Sequence, residues 1–262
     1  MKILSCNIRF STMQNDHGVR AWKSRCQPCL KAILRENADI IALQECCNDQ
    51  FHDLQAALQQ DYDSFWMNSF TDERYPENAI FFRRSFGISS RGGWFLSETP
   101  QLPGSKSWGS ECVRFVNYVV LHSQEGKRFR IINTHFDHAS QIAREKQAAL
   151  VCEEADAWNA IPQILTGDLN CDAQNEAIRI LFNNSWRDTW IECHPGENAP
   201  LSFHAFEGEN FKGDPGLCGN GKMDYVLVRG PIRTKNAEIL RPQPGEIYPS
   251  DHFFVSADID LL

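Results

Sequence analysis

The chain has 262 residues, 42% of them apolar and including 17 Phe and 7 Trp, which suffices for a sizeable core in a folded, soluble protein. It is acidic, with 26 Lys plus Arg against 34 Asp plus Glu and a net charge of -8, so no strong positive field exists to attract a long polyanion. Long nucleic acid is therefore disfavoured as a partner unless a local basic patch or a bound divalent cation offsets the overall sign.

Ile3, Leu4, Cys6 and Ile8 predict a first strand, residues 19–36 a helix, and residues 40–43 a buried strand ending at Gln44 and Glu45. A second helix follows near 49–58. Strand-like runs recur at 65–67, 79–82, 86–88, 113–121 and 129–133. A long helix spans 139–158, and the strand of Ile164 and Leu165 then runs into Thr166-Gly167-Asp168-Leu169-Asn170. A short helix covers 174–182, and strands return at 223–228, 237–240 and 253–259. No Ser/Gly/Pro linker and no internal repeat interrupts this order, which favours a single α/β domain over residues 1–262. The loops 208–221 and 241–249, rich in Gly and Pro, precede polar strand-end motifs, where functional loops tend to lie.

Met1-Lys2 leads straight into the first strand without an apolar leader or small-residue cleavage site, and no run approaches the roughly 18 apolar residues of a membrane span. The expectation is a cytoplasmic monomer without an integral membrane segment. Several of the ten cysteines, Cys6, Cys46, Cys47 and Cys152 among them, fall in apparent core elements and read as reduced small hydrophobes. Cys26-Gln27-Pro28-Cys29 has a redox or zinc spacing, but it lies in a helical segment with no second pair to complete a zinc ribbon.

Polar groups recur where apolar elements start or stop. Asn7 sits in the first strand, either bonded to a neighbouring loop or facing a site. Glu45 emerges directly from a buried strand, where it is either solvated or held by a hard cation. Asn133-Thr134-His135-Phe136-Asp137-His138 ends another strand with imidazoles three residues apart, able to cap a helix, contact a phosphate or bind zinc. Asp168 and Asn170 flank Leu169, as in an Asx turn or as an acid beside an amide suited to orienting water. Asp224 opens the strand of Tyr225 and Val226, and Pro249-Ser250-Asp251-His252 precedes the last strand. A carboxylate orienting an imidazole is the arrangement by which a hydrolase activates water.

In this order, Asn7, Leu43-Gln44-Glu45, Asn133-Thr134-His135, Gly167-Asp168-Leu169-Asn170, Met223-Asp224-Tyr225 and Ser250-Asp251-His252 resemble the endonuclease/exonuclease/phosphatase superfamily. That group includes DNase I, apurinic endonucleases, neutral sphingomyelinases, inositol polyphosphate 5-phosphatases and nocturnin-like enzymes. The resemblance spans essentially the whole chain. Phe95-Leu96-Ser97-Glu98-Thr99-Pro100 and Phe203-His204-Ala205-Phe206 further resemble an uncharacterised bacterial branch, in which Gly is expected at 205 and Ile at 223.

The resemblance implies a DNase I-like four-layer α/β sandwich, two mixed β-sheets packed face to face with helices outside. It implies Mg²⁺, or Mn²⁺, held by Glu45 with Asn7 and Asp251 close by. His252, oriented by Asp224, would activate water; His135 would stabilise the phosphoryl oxygens; Asp168 would protonate the leaving oxygen or position the nucleophile; and Asn170 would hold phosphate or water. Phe203, His204 and Phe206 would wall the substrate pocket, and Arg114, His138 and Arg144 are candidate phosphate contacts. The expected activity is metal-dependent hydrolysis of a phosphate ester, on a sugar phosphate, a nucleotide or a lipid headgroup. A nuclease of the same mechanism and a catalytically silent binding protein are the alternatives.

Overall fold

The computed structural model describes residues 1–67, 72, 74–213, 221–243 and 245–262; parts of both Gly/Pro-rich loops, 214–220 and 244, lie outside the described residues. The first half builds β1 (Lys2–Asn7), α1 (Trp22–Glu36), β2 (Ile40–Cys46), α2 (Asn48–Leu58), β3 (Tyr62–Trp66) and β4 (Glu77–Arg83). Next come β5 (Gly87–Phe95), β6 (Phe115–His122), β7 (Arg128–His135), α3 (Gln141–Asp156), β8 (Gln163–Asp168) and α4 (Glu176–Asn183). The chain continues through β9 (Arg187–Asp188), α5 (Thr189–Cys193), β10 (Asp224–Arg229), β11 (Ile232–Leu240) and β12 (Phe254–Leu261).

The strands form two six-stranded sheets, ordered β11-β12-β1-β2-β4-β3 and β5-β6-β7-β8-β10-β9. Each is mixed, with one parallel pair, β1 with β2 and β7 with β8, inside otherwise antiparallel pairing. A helix crosses between the members of each parallel pair, as a parallel connection requires.

Side-chain alternation explains the layering, because successive residues of a strand face opposite sides. Ile3, Ile40, Ile131, Ile164 and Val226 meet in a core between the two sheets. Their neighbours Leu4 and Ile41 face the α1/α2 side, while Ile132, Leu165 and Leu227 face the α3/α4 side. With both faces covered, central strands read as continuous apolar runs rather than alternating ones. The result is the expected four-layer sandwich of helices, sheet, sheet and helices. Among the described residues no helix is long and apolar enough to cross a membrane, and the nine described cysteines are free thiols.

Four elements differ most from the sequence expectation. β5 runs on to Phe95 through Gly92 and Gly93, a stretch that resembles a turn. A Cβ on Gly93 would fall 2.2 Å from the Val116 carbonyl, so glycine marks close backbone approach inside a strand. β11 begins at Ile232, not 237, because its first half is a polar edge strand broken by a bulge between Thr234 and Asn236. β9 and α5, of two and five residues, are too short for periodicity to show.

The topology brings the polar motifs to one rim. Asn7 ends β1, Glu45 lies near the end of β2, and His135 and Asp168 end β7 and β8. β10 runs antiparallel to β8 and pairs Asp224 with Asp168, so the start of β10 lies at the same edge. β12 runs antiparallel to β1, which returns the preceding Asp251 and His252 there as well. Gly167 permits this convergence: a Cβ at that position would lie 2.2 Å from the Thr134 carbonyl of the adjoining strand.

Candidate active site

Asp168 is the centre of the rim. Its Oδ2 accepts the Asn7 Nδ2 hydrogen bond at 2.9 Å and lies 3.2 Å from His135 Nε2 and 3.7 Å from His252 Nε2. Its Oδ1 accepts from the Asn170 backbone N–H at 2.9 Å, the Asx turn foreseen in the sequence. Asn7 Nδ2 also reaches Glu45 Oε1 at 3.1 Å, and the Asn170 amide lies 2.8 Å from His135 Nε2. On the other side, His252 Nδ1 is 2.9 Å from Asp224 Oδ2.

Local backbone conformation aims several of these groups. Glu45 has φ 58° at the bulge where β2 and β4 lose register, and Asn170 has φ 51°. Left-handed non-glycine residues are strained and persist only where surrounding contacts fix them. For Glu45, one such contact is the Phe10 N–H, which donates to Oε2 at 3.2 Å. Ser202 secures the Asp224 strand start, its Oγ accepting from the Met223 and Asp224 N–H groups at 2.9 and 3.1 Å.

The electrostatics separate the carboxylates. Burial alone would raise the Asp168 pKa, but His135, His252 and hydrogen bonds hold it well below the usual carboxylate range. Glu45 is likewise lowered: against the burial penalty stand His135, Arg9, His252 and the Asn7 amide. Burial dominates at Asp224 and Asp251, and both are raised. His252 is pushed up to about 10, because the attraction of Asp224 and Asp168 outweighs its own desolvation. An Asp168 so strongly held in its ionised form is an acceptor and not a proton donor, which favours positioning the nucleophile over protonating the leaving oxygen.

Among the described residues, two groups of side chains could hold a metal ion, Glu45 with His135 and Asp168, and Asp168 with Asp224 and His252; within each group the ligand atoms lie within 4.8 Å of one another. They share Asp168. Asp251, which the sequence reading placed with Asn7 and Glu45, belongs to neither; its Oδ2 lies 3.4 Å from Arg9 Nη1.

The expected substrate contacts are less uniform. Arg114 and His138 lie beyond the end of β7 and meet each other at 3.3 Å, with His138 Nε2 also 3.3 Å from Glu111. His135 and His138 thus have separate partners instead of forming the two-imidazole zinc pair. Arg144 is buried, donating to the Asp137 carbonyl and Gln141 at 2.8 Å each, and is not placed to meet a phosphate. His204 is also buried: its ring packs 4.1 Å from Phe253, and its Nδ1 accepts the Gly208 N–H. It supports the strand behind His252 and does not wall a pocket, which corrects the sequence expectation. Phe203 meets the His252 ring in a T-shaped contact with centroids 5.0 Å apart, whereas Phe206 lies over Arg20 and Arg25.

Sequence reasoning missed Arg9, Arg25 and Ser202. Arg25 is fully buried on α1 and donates to the carbonyls of Ile8, Arg9, Arg20 and Pro249. It ties the loop after β1 to the segment carrying Asp251 and His252. Its signal was present: the buried residues Trp22, Arg25, Cys29 and Ile33 recur at helical spacing, so a cation stands on the apolar face.

A cavity of about 510 Å³ lies between α1 and the 241–249 segment, lined by Ala32, Leu240, Pro249 and Phe254 among others. His252 borders it, but Glu45, Asp168 and Asp224 do not, so it is not the catalytic cleft.

In sequence and in fold the chain resembles known proteins. The profile of the Endonuclease/Exonuclease/phosphatase family matches residues 4–252. An endonuclease/exonuclease/phosphatase from Bacteroides vulgatus is 25% identical, with a TM-score of 0.88 over 100% of this chain and 98% of its own. A mannosyl-6-phosphatase from Bacteroides thetaiotaomicron is 26% identical, with a TM-score of 0.85 over 99% of each chain. The catalytic domain of human Nocturnin, at 18% identity and a TM-score of 0.74 over 100% of this chain and 93% of its own, shares the fold. No curated protein matches the chain.

Proposed function

The chain belongs to the endonuclease/exonuclease/phosphatase family, and from that premise we propose that it is a divalent-metal-dependent phosphoesterase acting on small phosphorylated molecules, a sugar phosphate foremost. The observation that carries this reading is the double role of Asp168, which lies in both potential metal-binding groups and 3.7 Å from an imidazole that Asp224 orients. A metal-adjacent carboxylate next to an oriented proton-transfer group is the minimum equipment for in-line attack of water on phosphorus.

Two of the three donors in each group are carboxylates, which suit a hard cation, magnesium or manganese, better than zinc. Glu45 and Asp168 would hold it, with Asn7 and Asp251 alongside, and when bound it neutralises charge on the phosphoryl oxygens. The protein's own groups do the rest. Asp224 fixes the His252 ring through Nδ1, which leaves Nε2 to move a proton at the rim. Asp168, ionised, accepts a hydrogen bond from the attacking water and orients it. His135 would face the phosphoryl oxygens, with Asn170 holding it in place: the Asn170 Nδ2 lies 2.8 Å from His135 Nε2 and donates to the Phe136 carbonyl at 3.0 Å.

The mannosyl-6-phosphatase likeness supports a sugar phosphate, and the net charge of -8 weighs against long nucleic acid. The protein works as a cytoplasmic monomer in this reading. The test is hydrolysis of p-nitrophenyl esters, sugar phosphates, nucleotides, sphingomyelin and oligonucleotides with Mg²⁺, Mn²⁺ or EDTA, beside His252→Ala. Metal-dependent turnover that the variant loses is the expected result. Silence across the panel with intact metal binding would instead mean a substrate outside the panel or a binding protein that kept its site, and turnover of oligonucleotides alone would identify a nuclease.

A further inference from the structure

We infer that Arg9 grips the non-bridging oxygens of the substrate's phosphoryl group, and that the site is thereby matched to a terminal phosphate monoester; this rests on the phosphoesterase reading above. Arg9 follows β1 with φ 54°, a conformation fixed from both sides. Its N–H donates to Asn7 Oδ1 at 3.0 Å, and its carbonyl accepts from Arg25 Nη2 at 3.0 Å and from Gln50 Nε2 at 2.9 Å. A strained residue held by this many bonds is aimed, and the strain has a functional use to explain.

The guanidinium turns back over the rim. Nε donates to Asp16 Oδ2 at 3.0 Å, Nη1 lies 3.4 Å from Asp251 Oδ2, and Nη2 has no hydrogen-bond partner among the described residues. The side chain is 19% exposed, so part of it stays open to solvent beside the carboxylates. Asp16 acts here as a positioning residue that keeps the fork in plane.

Charge makes the assignment specific. Glu45, Asp168, Asp224 and Asp251 crowd one rim and would repel an anionic substrate. Among the described residues, Arg9 is the one guanidinium within ion-pair distance of any of them. Its planar, permanently charged fork matches phosphate oxygens better than an ammonium does. A terminal phosphate offers three non-bridging oxygens and a second negative charge, whereas a diester offers two oxygens and one charge. A fixed cation therefore gains more from the monoester.

The experiment compares wild type, Arg9→Met, Arg9→Lys and Asp16→Asn in three readouts: kinetics on p-nitrophenyl phosphate and on bis(p-nitrophenyl) phosphate with Mg²⁺, inorganic phosphate binding by calorimetry, and Mn²⁺ binding. Arg9→Met is expected to lose about 100-fold or more in kcat/KM on the monoester, comparable to removing one oxyanion donor. It should lose under about tenfold on the diester and weaken phosphate binding, with Mn²⁺ affinity undiminished. Lysine should restore part of the loss, and Asp16→Asn should raise KM more than it lowers kcat. Equal losses on the two esters, unchanged phosphate affinity, or weakened Mn²⁺ binding in Arg9→Met would each overturn the assignment. Should the wild type hydrolyse neither ester, the phosphoesterase reading fails by itself. The calorimetry then still decides whether Arg9 binds phosphate, and a wild type that binds none at millimolar concentration overturns that too.

Discussion

Asp224 Oδ2 lies 2.9 Å from His252 Nδ1, although the two residues stand 28 positions apart and enter the rim on different sheets. The contact spans the sandwich: Asp224 starts β10 of one sheet and His252 precedes β12 of the other. The site is therefore assembled only when the two sheets pack. Asp224→Asn keeps the shape but removes the charge that orients and charges the imidazole. Turnover should fall by about 10²- to 10⁴-fold, the range for loss of acid–base function, while the far-UV spectrum stays that of the wild type. A variant with more than about half the wild-type rate would remove the dyad from the mechanism.

The same dependence on packing decides what the sequence could reveal. Asn7, Glu45, His135, Asp168, Asp224 and His252 were legible because each interrupts an apolar run at a strand end, where burial of a polar group is costly without a partner. Arg9 and Ser202 were not, since their importance lies in groups that other elements bring close, the Asp16 and Asp251 carboxylates for Arg9 and the Met223 and Asp224 N–H groups for Ser202. His204 misled because the family resemblance assigns its segment to the pocket wall, whereas here its N–H donates to the Asp251 carbonyl at 2.8 Å and its ring is packed against Phe253. Elements were legible in proportion to their burial, so the polar edge of β11 and the two-residue β9 escaped while the central strands did not.

Arg25 is expected to be the costliest surface-to-core link to cut. Methionine fills similar volume but leaves the carbonyls of Ile8 and Pro249 buried without the donors now at 2.7 and 2.8 Å. Arg25→Met should lose about 3 kcal/mol of stability, the penalty for buried acceptors deprived of a charged donor. Arg25→Lys should recover little, because a single ammonium cannot span the four carbonyls. Urea denaturation of both variants checks this, and a loss under about 0.5 kcal/mol would show the carbonyls are satisfied another way.

Ala205 occupies the position where related sequences lead one to expect glycine, and its φ is 49°. The left-handed conformation costs an L-residue about 1–2 kcal/mol, while glycine adopts it freely at some cost in unfolded-chain entropy. Ala205→Gly should therefore stabilise the protein by up to about 1 kcal/mol, seen as a higher melting temperature. A lower one would mean that the methyl group makes contacts worth more than the strain.

His204 gives the chain a particular sensitivity to acid. Burial, with the neighbouring His252 charge adding to it, holds its pKa down to about 3 from an ordinary 6.5. Between those values the unfolded chain binds a proton that the folded protein refuses, so stability is present above pH 6.5 and declines as pH falls toward 3. His252 has the opposite sign and another window: raised to about 10, it contributes stability below 6.5 that is lost as pH rises through 10, and so leaves the acid limb unaffected. At pH 5.5 the His204 contribution alone amounts to about 1.4 kcal/mol of lost stability relative to a group that does not titrate. His204→Phe should preserve the stacking on Phe253 and flatten the decline between pH 6.5 and 5, a window above the range in which most carboxylates protonate. Denaturation midpoints for both proteins across that window measure it. Parallel curves would show that the buried imidazole takes up its proton in the folded state without penalty.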